Sequence, residues 1–219
     1  MSVGSGFDIP KPIRTLHVVP IIHTTEDLGN LAPAIELAKV KAGLSDSLSV
    51  SKRTVHDFWA TLQDAIEAWP VDPSTMLVYQ DALPVSHERL VGVEHQIIDE
   101  LADKGSRNHL ILRSLRSRGA RVLGTESPEL LIEEYHLMKA AIEKALEDDN
   151  ASDAEVDQQT RRLHAEILLK RDRFIAKRID QTLAVGGCGM IFIGLLHRIE
   201  PHLPDDINVT YPFGRPMRI

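Results

Sequence analysis

The chain has 219 residues, a formal net charge of −7, an apolar fraction of 43%, a charged fraction of 26% and a single cysteine. This size and apolar fraction allow one large domain with a substantial buried core. The negative charge argues against a nucleic-acid-binding role, which needs a basic surface. A lone cysteine excludes an intrachain disulfide and a zinc site built from several cysteines.

The sequence contains no segment that predicts export or membrane insertion. Residues 1–11 lack the apolar core of a signal peptide, and the longest apolar run, near 190–196, is too short to span a bilayer. We therefore expect a cytoplasmic protein without a membrane segment. The arginines between 107 and 121 are interpreted as a solvated helix face and not as a nucleic-acid contact.

In chain order, apolar β-rich runs alternate with segments whose apolar residues recur at helical spacing. The predicted strands are 15–22, 76–80, 121–125, 190–194 and, at an edge, 207–211. The predicted helices are one that follows Thr24 and ends at Gly43, then 51–69, 88–104, 107–118, 128–147 and 155–184. The acidic segment 147–154 between the last two helices predicts a surface loop.

This alternation is typical of an α/β fold with a mainly parallel central sheet and helices on both faces. We predict a single domain over residues 1–219 with four to five strands and long helices in its C-terminal half. Residues 14–126 would form the first half of the sheet, 128–184 a long helical hairpin, and 188–212 the last strands.

Polar side chains follow four of the predicted strands: His23, Asp81, Glu126 and His197. The ligand crevice of an open parallel sheet lies outside the carboxyl ends of its strands, so these side chains should share one edge. Imidazole and carboxylate groups suit zinc, manganese or iron. His23, Glu126 and His197 are therefore candidate metal ligands, and a bound ion would activate water. Asp81, which could also simply begin a turn, is a candidate for binding substrate or supporting the ligands.

The same residues also allow chemistry without a metal, in which Glu126 acts as general base and a histidine as acid. Within helix 155–184, Asp172 falls in the inward apolar stripe and Arg171 falls at its border. A charged pair on a buried face needs partners. Arg171 is a candidate catalytic residue that binds an anionic group or stabilises developing negative charge, and Asp172 a candidate for supporting the site. The alternative is that both form a structural ion pair that anchors the helix.

These residues resemble the motifs of the TraB/Tiki group, which belongs to a superfamily with ChaN-like and erythromycin-esterase-like proteins. Gly194-Leu-Leu-His197 resembles the second Gly-x-x-His motif, and Pro20-Ile-Ile-His23 stands in place of the first, with proline for glycine. Gly124-Thr-Glu126 resembles the strand-end glutamate motif. Arg171-Asp172 resembles the Arg-Asn pair of the last long helix, with aspartate for asparagine.

The resemblance implies an α/β fold with a metal-dependent, hydrolase-type centre; Tiki-like members are described as metalloproteases and ChaN-like members as haem-binding. The leading hypothesis is therefore a metal-dependent hydrolase of a peptide, an ester or a small conjugate, with zinc, manganese or iron as cofactor. One alternative is a binding protein for haem or another anionic cofactor, with His23, His197 or Tyr79 as axial ligand. The other is an interaction protein with a vestigial site, in which helices 128–184 form the working surface, for example in a homodimer.

Overall fold

The computed structural model describes residues 13–24, 27, 45–86, 92–147 and 154–215. Its strands are β1 Arg14–Ile21, β2 Leu77–Pro84, β3 Arg121–Glu126, β4 Cys188–Gly194 and β5 Ile207–Thr210. Its α-helices are α1 Ser45–Glu67, α2 Val93–Asp103, α3 Arg107–Ser117, α4 Pro128–Glu147 and α5 Ala154–Thr182, with short 3-10 helices at Pro73–Thr75 and Glu200–His202. The helix predicted to end at Gly43 lies outside the described residues.

The strands form one parallel sheet in the order β3-β2-β4-β1-β5, which confirms the predicted α/β class. β4 lies between β1 and β2, and β5 lies at the edge predicted for it. The register sets Ile21 of β1 opposite Gly194 of β4, so these two strands end at the same level. Residues that directly follow them are therefore brought to one place at the carboxyl edge.

Helices cover both faces of the sheet. Neighbouring strand residues point to opposite faces, so Val78 and Tyr79 contribute to different cores. On one face the strands pack against α1, α2 and α3, through residues such as Trp59, Ile98 and Leu112. On the other face they pack against Ile175 and Ile179 of α5 and against Leu183, which directly follows it. None of the helices described here has the length and apolar character needed to cross a membrane.

β2 bends sharply where it passes the carboxyl edge. The sequence prediction ended this strand at Gln80, but its pairing with β3 resumes at Pro84 after a shift in register. Ala82 adopts a φ of 53°, a left-handed conformation that is uncommon for a residue with a side chain. Asp81 therefore lies inside β2 and not after it, because the irregular segment continues the strand instead of starting a loop.

The bent segment packs unusually close to Gly124 of β3. A Cβ atom at this position would lie 2.0 Å from the carbonyl oxygen of Pro84 and 2.8 Å from that of Leu83. We expect Gly124→Ala to lower the free energy of unfolding by about 3 kcal/mol or more, because backbone carbonyls cannot rotate away. Urea denaturation measures this.

The matched control is Gly92→Ala. Gly92 has a φ of 83° with nothing within 4 Å of the added Cβ, so the control carries backbone strain without a clash. We expect it to cost about 1 kcal/mol. Equal losses in the two variants would contradict the close approach at Gly124.

Candidate functional site

Two histidines from different strand ends meet at one buried carboxylate. His23 follows β1, His197 follows β4, and Asp81 lies in the bent part of β2. The Asp81 Oδ2 atom lies 3.5 Å from His23 Nε2 and 3.5 Å from His197 Nε2. Asp81 is fully buried, whereas the His23 side chain is 35% exposed. The structure thus brings together three of the four side chains predicted to share this edge.

Gly194 at the end of β4 allows His23 and His197 to lie close to Asp81. Its backbone N–H donates to Asp81 Oδ2 over 2.7 Å, which holds the carboxylate between the imidazoles. A Cβ atom at position 194 would lie 3.0 Å from His23 Nε2 and 3.2 Å from Asp81 Oδ2. Glycine therefore leaves the space that the His23 ring and the carboxylate occupy.

Asp172 of α5 orients His197. Its Oδ1 atom lies 2.6 Å from His197 Nδ1, and its Oδ2 atom accepts a hydrogen bond of 2.9 Å from the backbone N–H of Arg198. Both side chains are 5% exposed. Because Asp172 occupies Nδ1, the nitrogen that faces Asp81 and can exchange a proton is Nε2.

Glu126, at the end of β3, is bound to Arg171 of α5. Arg171 donates to Glu126 Oε1 from Nη2 over 2.6 Å and from Nε over 3.1 Å, and its Nη1 donates to Glu134 over 2.5 Å. Side-chain exposure is 0% for Glu126 and 6% for Arg171. The structure therefore places Asp81, and not Glu126, against the two imidazoles. Burial by itself would lower the pKa of Arg171, but Glu126, Glu134 and Asp81 raise it.

The charges at Asp81 and His23 reinforce each other. Burial by itself would raise the pKa of Asp81, but His23 and His197 lower it below the ordinary value for an aspartate. Burial by itself would lower the pKa of His23, but Asp81 and, through its charge, Asp27 raise it above the ordinary value for a histidine. Folding therefore shifts Asp81 towards its carboxylate form and His23 towards its imidazolium form.

The two shifts predict how stability depends on pH. The raised pKa of His23 gives stability that is fully present below its unfolded-state value of about 6.5 and is lost as pH rises through the folded-state value. The lowered pKa of Asp81 gives stability that is present above about 3.9 and is lost as pH falls through its folded-state value. We expect the Tm difference between wild type and His23→Gln to be largest near pH 5 to 6, about midway between these limits, and to shrink at alkaline pH.

The control for this measurement is His56→Gln, since the His56 side chain is 60% exposed. Its Tm difference from wild type should stay small throughout. A His23→Gln difference that did not change with pH would contradict the expected charge pairing.

The predicted metal ligands have suitable donor atoms but not a suitable arrangement in the described part of the chain. His23, His197, Asp81 and Glu126 have the donor chemistry of a zinc, manganese or iron site. As placed, however, no three or more His, Cys, Asp or Glu side chains in the described part of the chain are grouped so that they could hold a metal ion. Glu126 is paired with a cation already, so the residues present do not fit the metal in this arrangement.

Other residues named from the sequence lie elsewhere. The Tyr79 side chain points into the core on the α5 face, where its hydroxyl shares a hydrogen bond of 2.9 Å with Thr182. Sequence reasoning also missed Glu134, the second carboxylate on Arg171, and the buried contacts that Asp27 makes with α3. Helical spacing places Glu134 on α4, but it does not show which face of α4 meets α5.

The fold and the site define an α/β protein with a histidine–carboxylate centre at the carboxyl ends of its strands. Comparisons with protein-family models, with curated proteins and with solved structures gave no match. Membership of the TraB/Tiki group therefore stays a prediction from the motifs.

Proposed function

We propose that the chain is a hydrolase that activates water by general acid–base catalysis with His197 and His23. The observation that carries the proposal is the position of His197 between two buried carboxylates, Asp172 on Nδ1 and Asp81 near Nε2. An imidazole held on one side by a carboxylate, with its second nitrogen facing the reacting groups, is a recurring arrangement for moving protons.

His197 would act as the base. With Nδ1 hydrogen-bonded to Asp172, Nε2 accepts a proton from water while the water oxygen bonds to the acyl carbon of an ester or amide. The buried carboxylates stabilise the imidazolium that forms. Collapse of the tetrahedral intermediate breaks the bond between the acyl carbon and the leaving oxygen or nitrogen.

His23 would act as the acid. Its side chain is the exposed member of the cluster, at 35%, and its pKa is raised above the ordinary histidine value, chiefly by Asp81, which suits a proton donor. It donates its proton to the leaving group, so the products are a carboxylic acid and an alcohol or amine. The proton on His197 then passes to His23, directly or by exchange with solvent, which restores His197 as the base and His23 as the protonated acid.

We infer a supporting role for Arg171 at this site. Glu126 and Glu134 already use its donors, and its side chain is 6% exposed, which supports a role in anchoring α5 beside the site. Asp172 and Arg171 are neighbours in α5, so this anchor also helps to set the place of His197. Substrate binding by Arg171, the divalent metal, haem binding and dimerisation through α4 and α5 stay predictions.

A substrate panel tests the proposal. Protein dialysed against EDTA is assayed with p-nitrophenyl esters and peptide p-nitroanilides of varied acyl groups. We expect turnover of at least one class, a loss of about 100-fold or more in His197→Gln, and no loss in His136→Gln, a histidine on the exposed side of α4.

Three results would overturn this proposal. The first is equal turnover by wild type and a folded His197→Gln, and the second is no turnover of either substrate class. The third is activity that EDTA abolishes and that returns with one metal equivalent, measured by elemental analysis, since that favours the metal-dependent hydrolase predicted from the sequence.

A further inference from the structure

We propose that Asp27 is a positioning residue for His23: held by Ser106 and His109 at the start of α3, it fixes the turn that places His23 beside Asp81. The effect of Asp27 on catalysis rests on the proposed function. Its effect on the position of His23 does not, because that position can be measured without a substrate.

Asp27 closes the turn that follows His23. Its Oδ2 atom accepts hydrogen bonds from the backbone N–H of Thr24 over 2.7 Å and from the Thr24 hydroxyl over 3.1 Å. Its own N–H donates to the Thr24 carbonyl over 3.1 Å. Hydrogen bonds to a carboxylate are stronger than those between neutral groups, so this turn is held firmly next to His23.

The other oxygen of Asp27 attaches the turn to α3. Oδ1 accepts a hydrogen bond of 2.5 Å from the Ser106 hydroxyl and lies 3.4 Å from His109 Nδ1. Ser106 Oγ and His109 Nδ1 are 2.7 Å apart, and Ser106 also caps α3 by accepting from the His109 N–H over 3.2 Å. Because α3 packs into the core through Leu112 and Leu115, the turn is anchored to a rigid element.

These three side chains do not form a nucleophilic triad. In such a triad the histidine lies between the carboxylate and the hydroxyl. Here the hydroxyl lies between the carboxylate and the histidine, and Ser106 is completely buried. The arrangement therefore serves to hold Asp27 in place and not to attack a substrate.

His23 is the member of the site that most needs such an anchor. It follows a strand end, its side chain is 35% exposed, and its contact with Asp81 is 3.5 Å long. His197, in contrast, is 5% exposed and is clamped by Asp172. Restraint of the turn by Asp27 keeps the His23 ring within reach of Asp81, and misplacement of an acid by about 1 Å can cost a reaction 100-fold.

Asp27→Asn tests this inference, because asparagine keeps the shape but cannot accept at both positions. Hydrogen exchange measured by mass spectrometry should be at least about tenfold faster in the peptide that covers residues 22–27, while peptides from β2 and β4 stay protected. Modification of His23 by diethylpyrocarbonate should rise relative to His56. Once a substrate is identified, kcat of Asp27→Asn should be about tenfold or more below that of wild type, with KM nearly unchanged.

Ser106→Ala is the second variant, and it should reproduce the faster exchange even if Asp27→Asn folds poorly. Asp103→Asn is the matched control, since that side chain is 72% exposed. Unchanged exchange and unchanged His23 modification in folded Asp27→Asn and Ser106→Ala would overturn the inference. Faster exchange in a chain that hydrolyses nothing would leave the anchor standing and count only against the proposed function.

Discussion

Replacing Arg171 with methionine is expected to lower the free energy of unfolding by about 3–5 kcal/mol. The substitution removes the cation that donates twice to Glu126, whose side chain is 0% exposed. A carboxylate left buried without its partner keeps its desolvation cost and loses the attraction that offset it. Among the described residues, Glu126 Oε2 lacks a hydrogen-bond partner, and apart from Arg171 its Oε1 accepts only a long hydrogen bond of 3.4 Å from the Ala82 N–H. Urea denaturation at pH 7 measures the effect.

Two further variants separate the ion pair from simple loss of a long side chain. Arg171→Met combined with Glu126→Gln should recover part of the lost stability, because the uncompensated charge is gone. Lys170→Met is the surface control: its partner Glu133 is 3.5 Å away and the two side chains are 53% and 51% exposed. We expect it to cost less than about 1 kcal/mol. A similar small cost for Arg171→Met would show that the buried pair does not anchor α5.

Replacing Asp172 with asparagine is expected to reduce kcat/KM about 10²- to 10⁴-fold on whichever substrate the panel identifies. An asparagine amide does not favour the tautomer that carries its proton on Nδ1 of His197. The ring then presents a protonated Nε2 towards Asp81 and cannot accept a proton from water. The loss should appear in kcat and not mainly in KM, because the interaction matters most when the imidazolium forms.

The ring nitrogens of His197 provide a readout that does not depend on activity. Nitrogen-15 NMR of wild type should show Nδ1 protonated, and Asp172→Asn should shift the proton towards Nε2. The exposed Asp205 offers the control, since Asp205→Asn should change neither the rate nor the tautomer. Full activity in Asp172→Asn would remove His197 as the base.

Much of the fold follows from local sequence patterns. The runs that form β1, β3 and β4 are apolar and β-rich, and the apolar spacing of α5 sets Ile175 and Ile179 inward. The same spacing places Asp172 on the buried face, where its side chain is 5% exposed. Since residues that follow parallel strands collect at one edge, the sequence also predicted that His23, Asp81 and His197 lie near one another.

The pairing within the site depended on tertiary structure. The sequence pattern predicted Glu126 beside the two histidines. In the structure Asp81 lies beside both imidazole rings, and Glu126 forms an ion pair with Arg171. The difference arises because β4 lies between β1 and β2, while β3 lies at the edge of the sheet. Strand order is a long-range property that no local pattern encodes.

Neither the bend in β2 nor the hydrogen bonds that anchor Asp27 to α3 could be predicted from the sequence. The bend brings the Pro84 carbonyl into the space that a side chain at position 124 would fill, and the anchor joins two residues 79 positions apart in the chain. Side-chain periodicity and residue type by themselves predicted the strands, most of the described helices and the segments that carry the reactive groups. The tertiary packing alone decided which carboxylate pairs with which cationic side chain. Hydrogen bonds and ion pairs act over a few ångströms, and here they join segments that are distant in sequence.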